Sequence, residues 1–494
     1  MLLGIDVGTQ GAKVLVIDEN ANIIETATTS YDFQTPQPGW TEQHPNLWWE
    51  SICEALKQLK VDLKKVTGIG VSGQMHSLVI LDNERQVIRP AILWNDLRTE
   101  EECRKIEGIV GKEKIYHITR NAVLPGFTAP KLQWIKNHEP EKYAQIDIMM
   151  QPKDYIGYKL TDSLACDVSD ASGTAWFNLE RRNWSEEILS LLDIPAQWLP
   201  KVNESQEIVG YVTKEAAEIT GLPEGIPLVA GAGDNAAAAL GNGIYQQGKV
   251  SISVGTSGTV FTPLENVPAV EGESLETLHL FCHCIPDTWH AMGVTLSAGM
   301  SLKWFLDSFQ IDSYEELLEG VDEVAEGSDG LIFLPYLNGE RTPHNDAKAK
   351  GTFIGIGYQH KREHFVRAIL EGVSFSMRDC LELIKKLDVK IDHLYVTGGA
   401  SKSKVWRDIL SSILHERLYA FEEREGPAFG AALLAGLGTK VWGGTDQLPD
   451  CFDQGEKTNP KKSNRYDEYY SVYQQSYAQV KPLFQSLSQL SEHS

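Results

Sequence analysis

Two aspartates sit where a carboxylate can act chemically. Asp6 lies inside the apolar run Leu3-Gly4-Ile5-Asp6-Val7, which opens into Gly8-Thr9-Gln10-Gly11. A carboxylate buried in a strand is costly without a cation beside it. Mg²⁺ keeps several waters and takes only one or two carboxylates from a protein, so Asp6 reads as a metal-facing group acting through water. Asp234 stands in Gly231-Ala232-Gly233-Asp234-Asn235, ahead of four alanines and with no adjacent Arg or Lys. Such a residue can cap the helix that the alanines begin. It can also accept the proton of a hydroxyl that attacks phosphorus. The two roles use different oxygens and can coexist.

Glycine-rich turns complement these carboxylates, because backbone N–H groups converge on phosphate oxygens where no Cβ obstructs them. Two turns here share one pattern. Ile5 to Gly11 and Ile252 to Gly258 both read I-x-V-G-T-x-G, 247 residues apart in a chain of 494. Thr9 and Thr256 add a hydroxyl donor to each. Asp6 of the first becomes Ser253 in the second, so one turn alone carries a carboxylate for a metal. Halves that open on the same element indicate a duplicated fold, and a triphosphate held between them uses both turns. A third segment, Leu394-Tyr395-Val396 followed by Gly398-Gly399-Ala400 and reaching Arg407, offers a flat surface for an adenine ring. Any tight turn shares that pattern.

The elements that position these residues follow from the patterning around them. Leu3, Ile5 and Val7 alternate with smaller or polar residues, a strand continues from Lys13 to Ile17, Asp18 to Asn22 turns the chain, and Ile23-Ile24 resumes it. This is a strand–turn–strand–turn–strand meander. Val250 to Val254, the Gly-Thr-Ser-Gly turn and Thr259 to Thr262 repeat its opening. Each turn therefore joins two strands, unlike the strand-to-helix setting of a dinucleotide fingerprint or a Walker loop. Phe365 to Ile384 and Val405 to Ile413 carry apolar residues at helical spacing. Tyr466, Tyr469, Tyr470, Tyr473 and Tyr477 form a stripe that reads as a terminal helix docked on the body. Gly-Asn-Gly and Gln-Gln-Gly between Gly241 and Gly248 place the boundary between an N-terminal domain, 1–244, and a C-terminal domain, 245–494.

Composition bounds the rest. A chain of 494 residues exceeds one ordinary core and calls for two large domains. The net charge of −23 repels nucleic acid and anionic membrane, although local donors and a metal can still hold an anionic nucleotide; most of these carboxylates serve solubility. No stretch approaches the ~20 apolar residues of a membrane span, and Asp6 interrupts the run that a signal peptide needs. Seven scattered cysteines fit a reducing compartment. Cys282-His283-Cys284 lacks further ligands at zinc spacing. Together these features read as a cytoplasmic protein.

The assembled motifs resemble those of the FGGY family of carbohydrate kinases, over nearly the whole chain from Gly4 to about Gly436. The resemblance implies an α/β fold of two duplicated ribonuclease H-like domains, of the actin and hexokinase type, with an active-site cleft between them. It implies ATP as co-substrate and Mg²⁺. GIDVGTQGAK is similar to the first phosphate motif of the family, which puts Asp6 near Mg²⁺ and Thr9, Gly11 and Lys13 near the nucleotide phosphates. SVGTSG is similar to the second, which puts Gly255 and Thr256 on phosphate. GDNAAAALG is similar to the segment carrying the catalytic base and assigns that role to Asp234. SAGMSLKW implies nucleotide contacts at Gly299 and Lys303, and TGGASKSKVWRDIL implies them at Gly399 and Ser403, the latter standing where glycerol kinases carry Asn.

Gly73-Gln74-Met75-His76 is similar to the sugar-site motif of ketopentose-specific members and implies that Met75 and His76 meet the sugar. Taken bare, His76 reads as a structural histidine. Trp94-Asn95-Asp96, Pro152-Lys153-Asp154-Tyr155 and Leu334-Pro335-Tyr336 through Gly339 to His344 agree with that branch, while Ser77 departs from it where Gly is common. The implied reaction moves the γ-phosphoryl group of ATP to O5 of D-xylulose, in a homodimer with no nucleic-acid or membrane partner. A kinase of another ketose or polyol, such as ribulose or glycerol, is the nearest alternative. An actin-like ATP-gated binding protein is the remote one; it would need a separate partner-binding domain and would leave the GDN and GQMH segments without purpose.

Overall fold

The alternating apolar residues of the two glycine-turn segments become adjacent strands in two separate sheets. The computed structural model describes residues 1–269, 272, 275–421, 426–449 and 455–491. The first sheet contains β1 (Leu2–Val7), β2 (Gly11–Ile17), β3 (Ile23–Ser30), β4 (Gly68–Gly73), β5 (Ile208–Tyr211), β6 (Pro227–Val229) and β7 (Ala232–Gly233), in the order β5-β6-β4-β1-β2-β3 with β7 also on β4. β1, β2 and β3 form the antiparallel meander, while β1, β6 and β7 run parallel to β4.

The second sheet contains β8 (Lys249–Val254), β9 (Gly258–Leu264), β10 (His279–Cys282), β11 (Trp289–Thr295), β12 (His393–Gly398), β13 (Leu418–Ala420) and β14 (Glu456–Thr458). Their order is β10-β11-β9-β8-β12-β13-β14. The duplication extends to strand direction: β8 pairs antiparallel with β9 and parallel with β12, β13 follows in parallel, and β14 closes the edge antiparallel. Register matches too. Asp6 faces Ser72 across β1 and β4, and Ser253 faces Thr397 across β8 and β12. The meander of the second half is less direct than its sequence suggests. The strand beside β9 is β11, because β10 comes first in the chain and pairs on the far side of β11.

Helices cover both sheets. The expected helices appear as α4 (Arg362–Lys385) and α5 (Lys404–Leu414), each a little longer than its apolar pattern. The tyrosine stripe lies on α7 (Arg465–Ser491), where Tyr466, Tyr470, Tyr473 and Tyr477 are buried. Their hydroxyls stay satisfied, as buried polar groups require: Tyr470 donates to Asp379 at 2.6 Å and Tyr473 bonds Tyr336 at 2.8 Å. Among the described residues no helix is long and apolar enough to cross a membrane.

One helix joins the halves. α6 (Gly426–Gly438) belongs by sequence to the second half, yet it lies on β1 and β4 and against α2 (Asp234–Gly241). Its Ala- and Gly-rich sequence permits this, since backbone meets backbone at the crossing. A Cβ on Gly4 would lie 1.9 Å from the Ala428 carbonyl oxygen, one on Gly70 2.0 Å from that of Ala431, and one on Gly430 1.8 Å from that of Ala237. Leu433, Leu434 and Phe429 fill the remaining space with Leu2, Leu15 and Leu240.

This crossing makes a stability prediction. Gly430→Ala pushes a methyl into a carbonyl that cannot retreat, and overpacking of this kind costs about 1–3 kcal/mol. Its urea midpoint should fall accordingly. Gly108→Ala, on a helix position with nothing within 4 Å of the added methyl, should leave the midpoint unchanged or raise it.

Candidate active site

The first glycine turn is shaped by bonds to its carbonyls. Gly8 N–H donates to Gly11 O at 2.9 Å, Tyr31 Oη to Gly8 O at 2.7 Å, and Gln43 Nε2 to Thr9 O at 2.7 Å. Trp94 Nε1 reaches Thr9 Oγ1 at 2.9 Å, linking this turn to the Trp94-Asn95-Asp96 segment. The second turn is shaped by α3 (Gly299–Ser308), whose N-terminus lies on it: Gly299 N–H donates to Gly255 O at 2.7 Å and Ala298 N–H to Thr256 O at 3.0 Å. Gly299 must be glycine here, because a Cβ would stand 2.5 Å from Gly255 O. At the end of β12, Gly398 has φ of 74° and its absent Cβ would lie 2.4 Å from Val254 O. This lets the Gly399 turn rest on the end of β8.

Asp6 projects from β1 opposite Lys13 on β2 and Ser72 on β4. One carboxylate oxygen, Oδ1, is sealed from solvent without a hydrogen-bond partner among the described residues. Burial pushes its pKa up to about 6, against the opposing pull of Lys13 and of the Ser72 hydroxyl. An orphaned buried oxygen next to a glycine-rich turn fits a carboxylate that takes a cation. The described residues hold no group of three or more His, Cys, Asp or Glu side chains that could enclose a metal, so any ion here leans on Asp6 and on its other ligands.

Asp234 is the first residue of α2, and the cap position belongs to Gly233 without a side-chain bond. The capping role open to Asp234 in the sequence is therefore not the one it takes. Its Oδ1 accepts Asn235 N–H at 2.7 Å and Asn235 Nδ2 at 3.0 Å. Burial, and then the charge of Asp6, raise its pKa to about 7, the value that suits a base near neutral pH.

The loop leading to Asp234 is held by a buried ion cluster. Lys153 Nζ lies 2.6 Å from Asp154 and 2.9 Å from Asp167, and it also donates to Ala230 O at 3.3 Å. Gly233 N–H donates to Ser169 Oγ at 3.0 Å, and that hydroxyl donates to Asp167 at 2.6 Å. The Pro152-Lys153-Asp154-Tyr155 motif thus positions the segment carrying Asp234.

Asp234 opens onto a cavity of about 240 Å³, room for a small polyol. Met75, His76, Trp94 and Asn235 line it from the first half, and Thr259, His279 and Arg341 from the second. Met75 is clamped because a Cβ on Gly233 would lie 2.8 Å from its side chain. His76 has φ of 67°, and its Nδ1 donates to Gly173 O at 2.9 Å, while its ring packs on Phe127 at 4.8 Å. Burial and then the Lys131 charge drive its pKa down to about 3. A neutral imidazole with Nδ1 committed to Gly173 leaves Nε2 as an acceptor.

The structure therefore brings Met75, His76 and Asp234 to one cavity, and Asp234 within reach of the charge of Asp6. Lys303 instead forms a surface ion pair with Asp307 at 2.8 Å. Ser403 caps α5 by accepting Trp406 N–H at 3.3 Å. Sequence reasoning missed Asp167, Ser169 and His279, which no local pattern marks. Cys284 is buried with its thiol on Ala236 O.

Two sheets that share strand order and direction around their glycine turns, with a cavity lined from both halves and a buried aspartate at its edge, define a duplicated α/β phosphotransferase. The chain belongs to the FGGY family of carbohydrate kinases: residues 1–241 match the family's N-terminal domain and residues 250–439 its C-terminal domain. It is 38% identical to the xylulose kinase of Staphylococcus epidermidis, covering 98% of this chain and 97% of that protein. It is 37% identical to the xylulose kinase of Escherichia coli, covering 98% and 100%. The crystal structure of xylulose kinase from Rhodospirillum rubrum superposes with a TM-score of 0.91 at 29% identity, covering 98% of this chain and 99% of that one.

The pKa of Asp6 makes a prediction with a definite sign. Folding raises it from 3.8 to about 6, so the folded state prefers the protonated acid. That preference contributes stability at low pH, and the contribution is lost as pH rises from about 4 through about 6. At pH 7.5 in metal-free buffer, Asp6→Asn should be more stable than the unmodified chain by on the order of 1–3 kcal/mol. Denaturation midpoints should show the gap closing toward pH 4. A variant no more stable at pH 7.5 would mean that the carboxylate is paired or solvated.

Proposed function

We propose that this chain transfers the γ-phosphoryl group of ATP to O5 of D-xylulose, giving D-xylulose 5-phosphate. The observation that carries the reading is the convergence of Asp234, Met75 and His76 on one sugar-sized cavity beside the Asp6 turn. Similarity to xylulose kinases over almost the full chain supports the choice of sugar.

In the proposed reaction a bond forms between O5 and the γ-phosphorus as the bridging oxygen leaves with ADP. Asp234 accepts the O5 proton. Its Oδ1 is occupied by Asn235, so the base is Oδ2. Met75 and His76 position the sugar, with His76 Nε2 accepting from a sugar hydroxyl. Thr9, Gly11, Lys13, Gly255 and Thr256 hold the phosphates through N–H, hydroxyl and ammonium donors. Gly399 gives the adenosine a flat rest on the end of β8; Gly299 and Lys303 lie on the helix beside the second turn, and Ser403 borders the adenosine side. Asp6 would hold Mg²⁺ through water, and the ion would supply neutralisation of charge on the phosphate chain. Such catalysis rests on positioning and electrostatics.

We take 1–244 and 245–494 as the two domains, with α6 as the element of the second that completes the first. A cytoplasmic homodimer is the setting that the family resemblance supports.

ADP release from purified protein with Mg²⁺ and ATP, with and without D-xylulose, D-ribulose, L-ribulose or glycerol, tests the reading. Strong stimulation by D-xylulose is expected. Stimulation by a different compound alone would move the assignment to that sugar, and stimulation by none would overturn it. Asp234→Ala should lower kcat by at least ~10²–10⁴-fold, the range for a positioned base. Activity within about tenfold of the unmodified enzyme would remove that role from Asp234.

A further inference from the structure

The cavity has a second wall that the proton-transfer chemistry leaves unexplained. Arg341 lines it together with Met75 and His76. Its guanidinium has one side-chain partner, His279 Nε2 at 3.3 Å from Nη1, and among the described residues no carboxylate stands within ion-pair distance. That is an unusual setting for an arginine facing a cavity. The Glu340 carboxylate beside it is turned elsewhere, with Oε1 accepting Leu296 N–H at 2.9 Å and Arg341 N–H at 2.8 Å.

The segment is tied firmly to the second sheet. Thr342 N–H donates to Val294 O at 3.0 Å, and Val294 N–H donates back to Thr342 Oγ1 at 3.1 Å. His279, at the start of β10, belongs to one ring cluster with Phe281, Phe127 and His76, at centroid separations of 4.8 to 6.1 Å. Arg341 therefore stands at the His76 end of the cavity. Its charge bears on His76 and His279, whereas Asp234 responds to Asp6.

We infer that Arg341 is a specificity-determining residue, whose guanidinium, braced by His279, hydrogen-bonds the hydroxyketone end of the sugar at O1 and O2. The inference rests on the reading of Asp234 as the base for O5, which places the opposite end of the sugar at His76. A guanidinium presents a planar fork of donors suited to two neighbouring oxygens, which a lysine cannot reproduce. Because Arg341 and His279 come from the second half and Met75 and His76 from the first, the sugar is read from both sides of the cleft.

The test pairs a variant with a trimmed substrate. Arg341→Gln should raise KM for D-xylulose about 10–100-fold, the range for a lost bond to a charged group. KM for ATP should change less than about threefold. The unmodified enzyme should discriminate against 1-deoxy-D-xylulose, and this penalty should largely vanish in Arg341→Gln, a result that general misfolding would not produce. Arg341→Lys, which keeps the charge without the fork, should fall between the two and decides the matter by the same criterion if the Gln variant does not fold. An unchanged KM for D-xylulose, or an analogue penalty as large in the variant as in the unmodified enzyme, overturns the inference. Failure of D-xylulose to stimulate ADP release from the unmodified enzyme would instead sink the functional reading on which it rests.

Discussion

Asp6 and Asp234 are carboxylates held out of water, Asp234 also under the charge of Asp6, and the site is built around the cost of burying them. Each carboxyl is raised well above its ordinary pKa, Asp6 to about 6 and Asp234 to about 7. Left alone, such a pair costs folding free energy. The surrounding structure must therefore hold both residues in place. β1 does this for Asp6 through strand register, and the Lys153 cluster does it for Asp234 by gripping Ala230 and Gly233. The strain has a use. Under the proposed function, a site that disfavours two negative charges would suit a cation at one and a proton at the other.

The duplication explains how a single chain offers unlike partners to one reaction. Both sheets end in the same hairpin turn, with the same parallel neighbour at the same register. In the first half the position before the turn is Asp6, and in the second it is Ser253. Under the proposed function the same turn would hold phosphate twice, while the single change in side chain would confine the metal to one side. The segments outside the repeat, His279 and the Arg341 loop among them, line the cavity and are where the proposed function would place what is particular to the sugar.

Much of this was legible in the sequence. The repeated I-x-V-G-T-x-G gave away the duplication, because a tight glycine turn between strands leaves a local signature. The helices α4 and α5 announced themselves by apolar spacing, as did the tyrosine stripe of α7. Other features depend on what comes together only in three dimensions. Asp234 could by its sequence also have capped the helix, and only the backbone showed that the helix begins at Asp234 itself. Ser403 and Lys303 matched motif positions, yet their side chains are engaged in a helix cap and a surface ion pair. Nothing local marks His279, whose partner Arg341 lies 62 residues away, and Asp167 gains its role only where the fold sets Lys153 against it.

The helix α6 has a consequence for how the molecule is made. A ribosome releases the seven strands of the first sheet by residue 233, but the helix that covers β1 and β4 lies at 426–438. Until it arrives, the Gly4 and Gly70 face of that sheet and the alanines of α2 have no lasting cover. The first half therefore reaches its native packing only near the end of synthesis, by a contact spanning more than four hundred residues. Long-range closure of this kind slows folding and leaves apolar surface exposed to aggregation meanwhile. The net charge of −23 also sets nascent chains to repel one another.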